Sequence, residues 1–588
     1  MTPSRWPLAV RAATSTAVPV VIGSAVGNVG AGLIATLGAF TARFGGDRPY
    51  LNRGVQLATV SVALASAVAV GSWSARVEWL GITAVSVVAV AAVWLCNALA
   101  VGPPGAYVFA LACAAGVGVS ASGLAPWQLA LLVLGGGAMA WLIQMSGSLR
   151  DWRRPERAAV AAAGIAVADY VDAVGSDHET VARQRAATAL HVAWDVLITF
   201  QPTTDDTVQE LRAATHALHV LFADAVTAAT GDGPPAGTAD TARRIGELTV
   251  DPGTVSARDT SRTPLGRAPT RTLLRRALRP GSHVRHVMVR VAIAAPLAGA
   301  AAVLFGVGHA YWAIAAAVLI LHQGADRSRT LRRGADRLVG TWVGLILAAG
   351  ILWLHPQGWW LAVILAALQL TIQMLVARHY GLASVFITAA ALTIATGSHR
   401  VDVVDLLLAR GSDTLIGCAV GVAVFLVVSR FQEADRLVDS VADVVDAVAA
   451  TVPYLATDTT TLAARTARRD LQLATVDLRD AADHPMQPAA DDVMRPAADD
   501  NMRLAAVDVM RLAAAAAEHL AYRTVAACWE ADVHEAGPLL DREQARAFAG
   551  QLHDVAAALR RRAPAPSVED APDFMAADVA ALTGALGR

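Results

Sequence analysis

The sequence predicts an all-α polytopic membrane protein: two tandem parallel repeats of about six transmembrane helices, each followed by a helical cytoplasmic domain. Three observations predict it. Only 16% of the 588 residues are charged and 55% are hydrophobic, with a mean hydropathy of +0.46, whereas soluble domains carry about 25% charged residues. Two long apolar blocks alternate with two polar ones. Arginines gather at every second joint between apolar segments, which is the asymmetry that sets orientation in a bilayer.

A spanning helix needs roughly 20 apolar residues. On that rule the first block divides into 7–29, 30–43, 52–72, 77–99, 104–123 and 126–145. The second divides into 287–307, 310–323, 335–354, 357–377, 381–397 and 405–429. The domains expected are a first transmembrane repeat (1–146), a helical cytoplasmic domain with a flexible connector (147–285), a second transmembrane repeat (286–429) and a second helical cytoplasmic domain (430–588). The N-terminal apolar run follows arginines as a signal peptide would. It is about 20 residues long and shows no cleavage site, so it is expected to be a retained span.

Arg43, Arg48 and Arg53 follow the second segment, and Arg150, Arg153, Arg154 and Arg157 follow the sixth. Arg327, Arg329, Arg332, Arg333 and Arg337 occupy the corresponding joint of the second block. The positive-inside rule then places both chain ends and both polar blocks in the cytoplasm of a plasma-membrane protein. The blocks also repeat. Gly45-Gly46-Asp47-Arg48 recurs as Gly324-Ala325-Asp326-Arg327, 279 residues later, and Arg11 recurs as Arg290 at the same offset. Repeats that both start in the cytoplasm are parallel, and predict a pseudo-two-fold axis along the membrane normal.

The polar blocks read as helical. Leu437, Val441, Val444, Val445 and Val448 recur at helical spacing. Met486, Met494, Met502 and Met510 recur every eight residues among prolines, and read as a duplicated linker rather than a metal site. Residues 231–270 read as a flexible connector, and His216 and His219 as a solvated helix face.

Several functions are argued against. The 48 basic and 49 acidic residues cancel, so bulk charge does not draw nucleic acid. The chain contains no lysine, hence no Walker A lysine, kinase lysine or Schiff-base lysine. Cys96, Cys113, Cys418 and Cys528 form no CxxC pair. No HExxH, GxSxG or strand-borne GxGxxG occurs. The expectation is a non-enzyme without cofactor or metal, whose partners are the lipid bilayer, a small organic anion and further copies of itself.

The second segment of each block is only about 14 residues long, and paired short segments point to a substrate path. In the second block it opens on Tyr311 and Trp312 and ends at His322, a set that reads equally as an interfacial aromatic belt. Arg333 and Arg337 flank the next span, where a guanidinium fork suits a carboxylate; the alternative is lipid headgroup contact. Gly340 and Gly344, Gly417 and Gly421, and Gly23 and Gly27 read as helix-packing pairs. Arg410 and Asp413, three apart on one helix face, are intramembrane ionisable groups and candidates for proton coupling, or else flank residues. Gln369 and Gln373 read as hydrogen-bonding a neighbouring helix.

These residues resemble the fusaric acid resistance (FUSC) family, related to aromatic acid exporters and aluminium-activated malate transporters. The resemblance rests on Tyr311-Trp312-Ala313, the arginine-rich joint, Arg333, Gly340-Thr341-x-x-Gly344, and Arg410-x-x-Asp413-Thr414-x-x-Gly417, together with the layout of the whole chain. The first block departs from it, with Gly30-Ala31-Gly32 where an aromatic pair is expected. The resemblance implies proton-driven efflux of small carboxylic acids, aromatic ones above all: Arg333, Arg337, Tyr311, Trp312 and His322 would bind the substrate, and Asp413 with Arg410 would couple protons. A passive arginine-lined anion channel and a non-transporting membrane scaffold are the alternatives.

Overall fold

The computed structural model describes residues 6–46, 48–200, 206–229, 233–255, 265–279, 282–323, 327–354, 356–376, 378–398, 403–429, 433–482, 497–534 and 539–587. Among them the chain forms helices and turns and no strand. The first apolar block gives α1 (Trp6–Ala25), α2 (Val29–Ala35, continued by a 3-10 turn Gly38–Arg43), α3 (Tyr50–Ser74), α4 (Glu78–Ala98), α5 (Tyr107–Val119) and α6 (Pro126–Met145). The first polar stretch gives α7 (Arg154–Ala173), α8 (Glu179–Trp194), α9 (Asp206–Ala228) and α10 (Thr238–Gly246). A short α11 (Thr270–Ala277) precedes α12 (His283–Leu304), α13 (Ala310–Leu321), α14 (Arg327–Trp353), α15 (Trp359–Leu375), α16 (Tyr380–Ser398) and α17 (Val403–Ser429). The last stretch gives α18 (Glu433–Leu455), α19 (Leu462–Ala482), α20 (Ala497–His534), α21 (Arg542–Arg560) and α22 (Asp573–Leu586).

Each expected apolar segment is a separate helix. Seven are long and apolar enough to cross a bilayer by length and composition. The other five, α2 with its turn, α5, α13, α15 and α16, are shorter. The sequence pointed to α2 and α13. The loops explain two of the others: Gly102, Pro103, Pro104 and Gly105 delay α5, and Pro356 with Gly358 delays α15, because proline and left-handed glycine interrupt a helix.

The chain divides into two compact units, each made of two separated pieces: Met1–Trp152 with Ala268–Arg430, and Arg153–Arg267 with Phe431–Arg588. The polar stretches, expected as a domain each, thus share one unit. In the first unit, Leu131, Leu142, Ile346, Trp353, Trp359 and Trp360 are more than half exposed. Water would penalise so much outward apolar surface, and lipid does not. The chain is a multi-pass membrane protein.

Close helix packing in this unit rests on glycine. A Cβ on Gly340 would lie 2.6 Å from Ser384 Cβ, and one on Gly344 2.6 Å from the Val385 carbonyl, so α14 lies tight on α16. A Cβ on Gly417 would strike the Ala313 carbonyl, and one on Gly421 would lie 3.3 Å from Ala317 Cα, so α17 lies on α13. The first half does the same. Gly71 and Gly116 bring α3 and α5 together at the Cys113 and Val68 carbonyls, and Gly136 of α6 meets the Ala35 carbonyl of α2. Gly23 packs on Gly32, but Gly27 lies beyond α1 in a left-handed turn (φ 71°), where an added Cβ would meet nothing within 4 Å. Contacts between the halves are reciprocal: α1 packs on α15 and α12 on α4, while α2 packs on α16 and α13 on α5.

In the second unit, α9 is buried on most of its circumference. His219 is therefore buried, and His216 meets the Trp529 ring at 4.8 Å, so neither histidine lies on a solvated face. The expected connector contains α10, whose Ala242 and Ile245 are buried and whose Gly246 abuts Gly164. Phe222 joins Tyr170 (5.3 Å) and Tyr522 (6.0 Å), Gln184 donates to Glu518 (3.2 Å), and Arg183 contacts His519. Met486 and Met494 lie outside the described residues, as does the Met502 side chain; Met510 packs against the core of α18–α21.

Two predictions follow from this packing. Gly417→Leu forces side-chain atoms into the α13 backbone, and is expected to destabilise the chain by about 1–3 kcal/mol or more, read as a lowered thermal midpoint in detergent. Burial, opposed by the hydrogen bond to the Thr215 carbonyl and reinforced by His216, Arg468 and His191, holds the His219 imidazole down at about 3. The stability this represents is present above the ordinary histidine value near 6.5 and is lost as pH falls toward 3. The His219 contribution should fall by about 2 kcal/mol by pH 5, and His219→Gln should flatten the midpoint-versus-pH curve between pH 7 and 5.

Candidate anion site

The approach of α17 to α13 places the Arg410 guanidinium 3.9 Å over the Trp312 ring. Arg410 is buried, and its Nη1 makes no hydrogen bond. One turn on, Asp413 is fully buried and neither carboxylate oxygen accepts a hydrogen bond. Arg410 and Tyr311 are its electrostatic neighbours. The two residues share a helix face, as their spacing predicts, but Arg410 turns to the indole and no hydrogen bond joins it to Asp413. The Tyr311 hydroxyl lies against Gly118 of α5, where an added Cβ would approach within 3.1 Å.

Arg337, on the third turn of α14, is 2% exposed and donates to Ser384 Oγ (3.3 Å). Tyr107 and Tyr380 both lie within its electrostatic reach. Arg333, one turn earlier, stands 5.9 Å from the Tyr380 ring, with its Nη1 buried and unbonded. His322 closes α13. Its Nδ1 lies 2.9 Å from the Leu319 carbonyl, and its ring centroid is 6.0 Å from that of Tyr107. Arg329 and Arg332 are exposed on the same first turns of α14. That part of the expected arginine joint is therefore helical.

Arg43, at the end of the short second helix of the first half, donates to Gln369 Oε1 (3.1 Å) and lies 4.6 Å over Phe40. Tyr107 is its electrostatic neighbour too. Tyr107 thus stands among Arg43, Arg337, Arg410, Tyr380 and His322. His322, Arg337 and Arg410 come together here, whereas Tyr311 stands at the opposite end of α13 from His322, about 16 Å away along the helix, with Asp413 as its neighbour; the first half adds two residues the sequence reading missed. A signal for both existed. Arg43 precedes His322 by 279 residues, the repeat offset, and the fifth helix of each half opens on tyrosine, Tyr107 and Tyr380.

The chemistry is that of an anion site. Among the described residues Arg43, Arg337 and Arg410 make no ion pair, and Asp413 is the buried carboxylate of this unit. Buried guanidiniums with free N–H groups fit carboxylate oxygens, and the faces of Trp312 and Tyr380 suit a planar body. Among the described residues no group of three His, Cys, Asp or Glu side chains could hold a metal.

Residues 297–424 match the family described as fusaric acid resistance protein-like. The match lies within the second apolar block. The match runs from within α12 to within α17 and takes in Tyr311, Trp312, His322, Arg333, Arg337, Arg410 and Asp413; Arg43 and Tyr107 lie outside it. A relative from Bacillus subtilis (strain 168), the uncharacterized membrane protein YvaC, is 26% identical over 481 residues, covering 75% of this chain and 76% of its own. No solved structure matches.

An anion bound here stabilises the folded chain by mass action. Benzoate is expected to raise the thermal midpoint of the purified chain in detergent, and uncharged benzamide to leave it in place. Arg410→Gln should abolish the difference.

Proposed function

We propose that the chain exports small organic carboxylic acids, aromatic ones favoured, from the cytoplasm across the plasma membrane, using the proton gradient. The observation that carries this reading is the group of buried arginines without ion-pair partners around Tyr107. Such groups are costly in an apolar bundle and are retained where an anion must pass. The fusaric acid resistance protein-like domain supports it, as its family name refers to an acid with an aromatic ring. Arg333 and Arg337 gather the anion, Trp312, Tyr311 and His322 contact its body, and Asp413 carries the proton beside Arg410.

The reading includes twelve crossings, the five short helices counted with the seven long ones. Both chain ends and the helical unit then face the cytoplasm. Reciprocal packing between the halves and glycine contacts at equivalent helix pairs support two parallel repeats.

The test is export of labelled benzoate from loaded vesicles. Flux should need an imposed proton gradient and fall at least tenfold in Arg337→Gln and in Asp413→Asn, with Arg43→Gln impaired as well. Flux that continues with the gradient collapsed identifies the passive channel instead. Flux unchanged by Arg337→Gln removes the arginine site.

A further inference from the structure

Between 262 and 290 the chain carries eight arginines and no acidic residue. The short helix α11 occupies the middle of this stretch and packs on α4 and α12. The Trp94 indole N–H donates to the Leu274 carbonyl (3.3 Å) and ties α11 to the last turns of α4. Ala277 is buried, while Arg271, Arg275 and Arg279 are exposed. Spacing by four puts these three guanidiniums on one face of the helix. Leu278, seven residues on from Arg271 and 46% exposed, shares that face. Among the described residues none of the three arginine side chains is paired with an acidic group.

The neighbouring spans show that this face stands at the edge of the bilayer. Tryptophan near the end of a span marks the boundary between hydrocarbon and headgroups, and Leu95, next to Trp94, is exposed on α4. Arg285 lies in the first turn of α12 and is exposed. It heads an exposed stripe spaced by four, Val289, Ile293 and Leu297. Those side chains meet acyl chains, so Arg285 stands where acyl chains give way to headgroups. The exposed Leu278 among arginines repeats the pattern on α11: an apolar side chain dips toward hydrocarbon while guanidiniums stay at the polar level. A guanidinium presents paired N–H groups that match phosphate oxygens, and the segment has no carboxylate to take their place.

We propose that Arg271, Arg275, Arg279 and Arg285 form a binding site for anionic phospholipid, the guanidiniums holding the phosphodiester headgroups while Leu278 and the α12 stripe meet the acyl chains. The bound lipid fastens α11 to the bilayer at the end of α4. The site requires only that α4 and α12 cross the bilayer, as their length and composition allow, and it does not depend on the transport reading.

The test places the full chain in phosphatidylcholine bilayers with a minor fraction of phosphatidylglycerol whose acyl chains carry bromine, a short-range quencher of tryptophan emission. The Trp94 share of the emission is the difference from Trp94→Phe. Brominated phosphatidylglycerol should quench it at lower fractions than brominated phosphatidylcholine. An arginine at an anionic surface adds about fivefold to lipid affinity, so Arg275→Gln should narrow the difference about fivefold. Arg271→Gln, Arg275→Gln and Arg279→Gln combined should remove it, with the thermal midpoint in detergent unchanged because these side chains are exposed. Should Trp94→Phe not fold, mass spectrometry of lipid retained by the detergent-purified chain makes the same comparison: phosphatidylglycerol stays with the native chain and is lost from the triple variant. Arg76→Gln removes one charge at the opposite end of α4 and should change nothing. Equal quenching by the two lipids, a preference that survives in the triple variant, or one that Arg76→Gln weakens as much as Arg275→Gln does, overturns the proposal. So does a preference abolished by inorganic phosphate but not by sodium chloride of equal ionic strength, which marks a site for a soluble anion.

Discussion

A guanidinium buried in an apolar helical bundle must be compensated, and how this chain compensates its arginines governs the rest of the membrane unit. Removing such a cation from water costs several kcal/mol even after relaxation. In the helical unit the usual solution applies: Arg479 pairs with Glu518, Arg523 with Asp578 (3.1 Å) and Arg153 with Glu156 (3.0 Å). In the membrane unit Arg410 rests on Trp312, and Arg43 on Phe40 with a neutral amide beside it. Aromatic faces, hydroxyls and amides orient a cation without cancelling its charge. The positive potential that remains is the property an anion site needs, and a carboxylate partner would have removed it.

That potential is assembled by helices that approach closely. A stripe of small residues gives close backbone contact without a water-driven force between helices, and here the same pairs are tightened in each half: third on fifth, sixth on second. The equivalence stops at the arginines. Arg53 matches Arg333 in sequence, yet it donates to the Gly45 and Gly46 carbonyls (2.7 and 2.6 Å) and lies 4.7 Å over Tyr50. Its charge is spent on holding a loop, while Arg333 keeps a buried Nη1 unbonded. One half uses the arginine as a structural brace and the other leaves it open.

Much of this was legible in the sequence because composition and charge placement act over long windows. Each of the twelve apolar segments is a helix close to its expected bounds except α14, which starts at Arg327 rather than 335; a bilayer demands long apolar runs, and the arginines that were read as a joint there continue the helix. Gly340, Gly344, Gly417 and Gly421 were readable because helical spacing defines a face. Gly27 was not, because the same four-residue spacing continues past the helix end. The burial of His219 and the packing of His216 on Trp529 were hidden too. What encloses α9 is α20, some three hundred residues away, and no local pattern records a partner that distant. The first-half members of the anion site were obscured for a similar reason: Arg43 reads as an orienting charge until the fold brings Gln369 to it and sets Tyr107 nearby.

The geometry also fixes the sign of one linkage. Asp413 is the buried acid beside Arg410, so its negative charge weakens the field that a carboxylate cargo would feel. A proton on Asp413 strengthens that field, and by reciprocity a bound anion favours the proton. Within a single state of this site, proton and cargo therefore reinforce each other. The proposed export moves them in opposite directions, so competition for one pocket does not supply the exchange. It has to come from alternation between states in which the distance from Asp413 to Arg410 differs. Anion affinity of the purified chain should then rise as the medium is acidified, and that rise should vanish in Asp413→Asn, whose side chain carries no charge to lose.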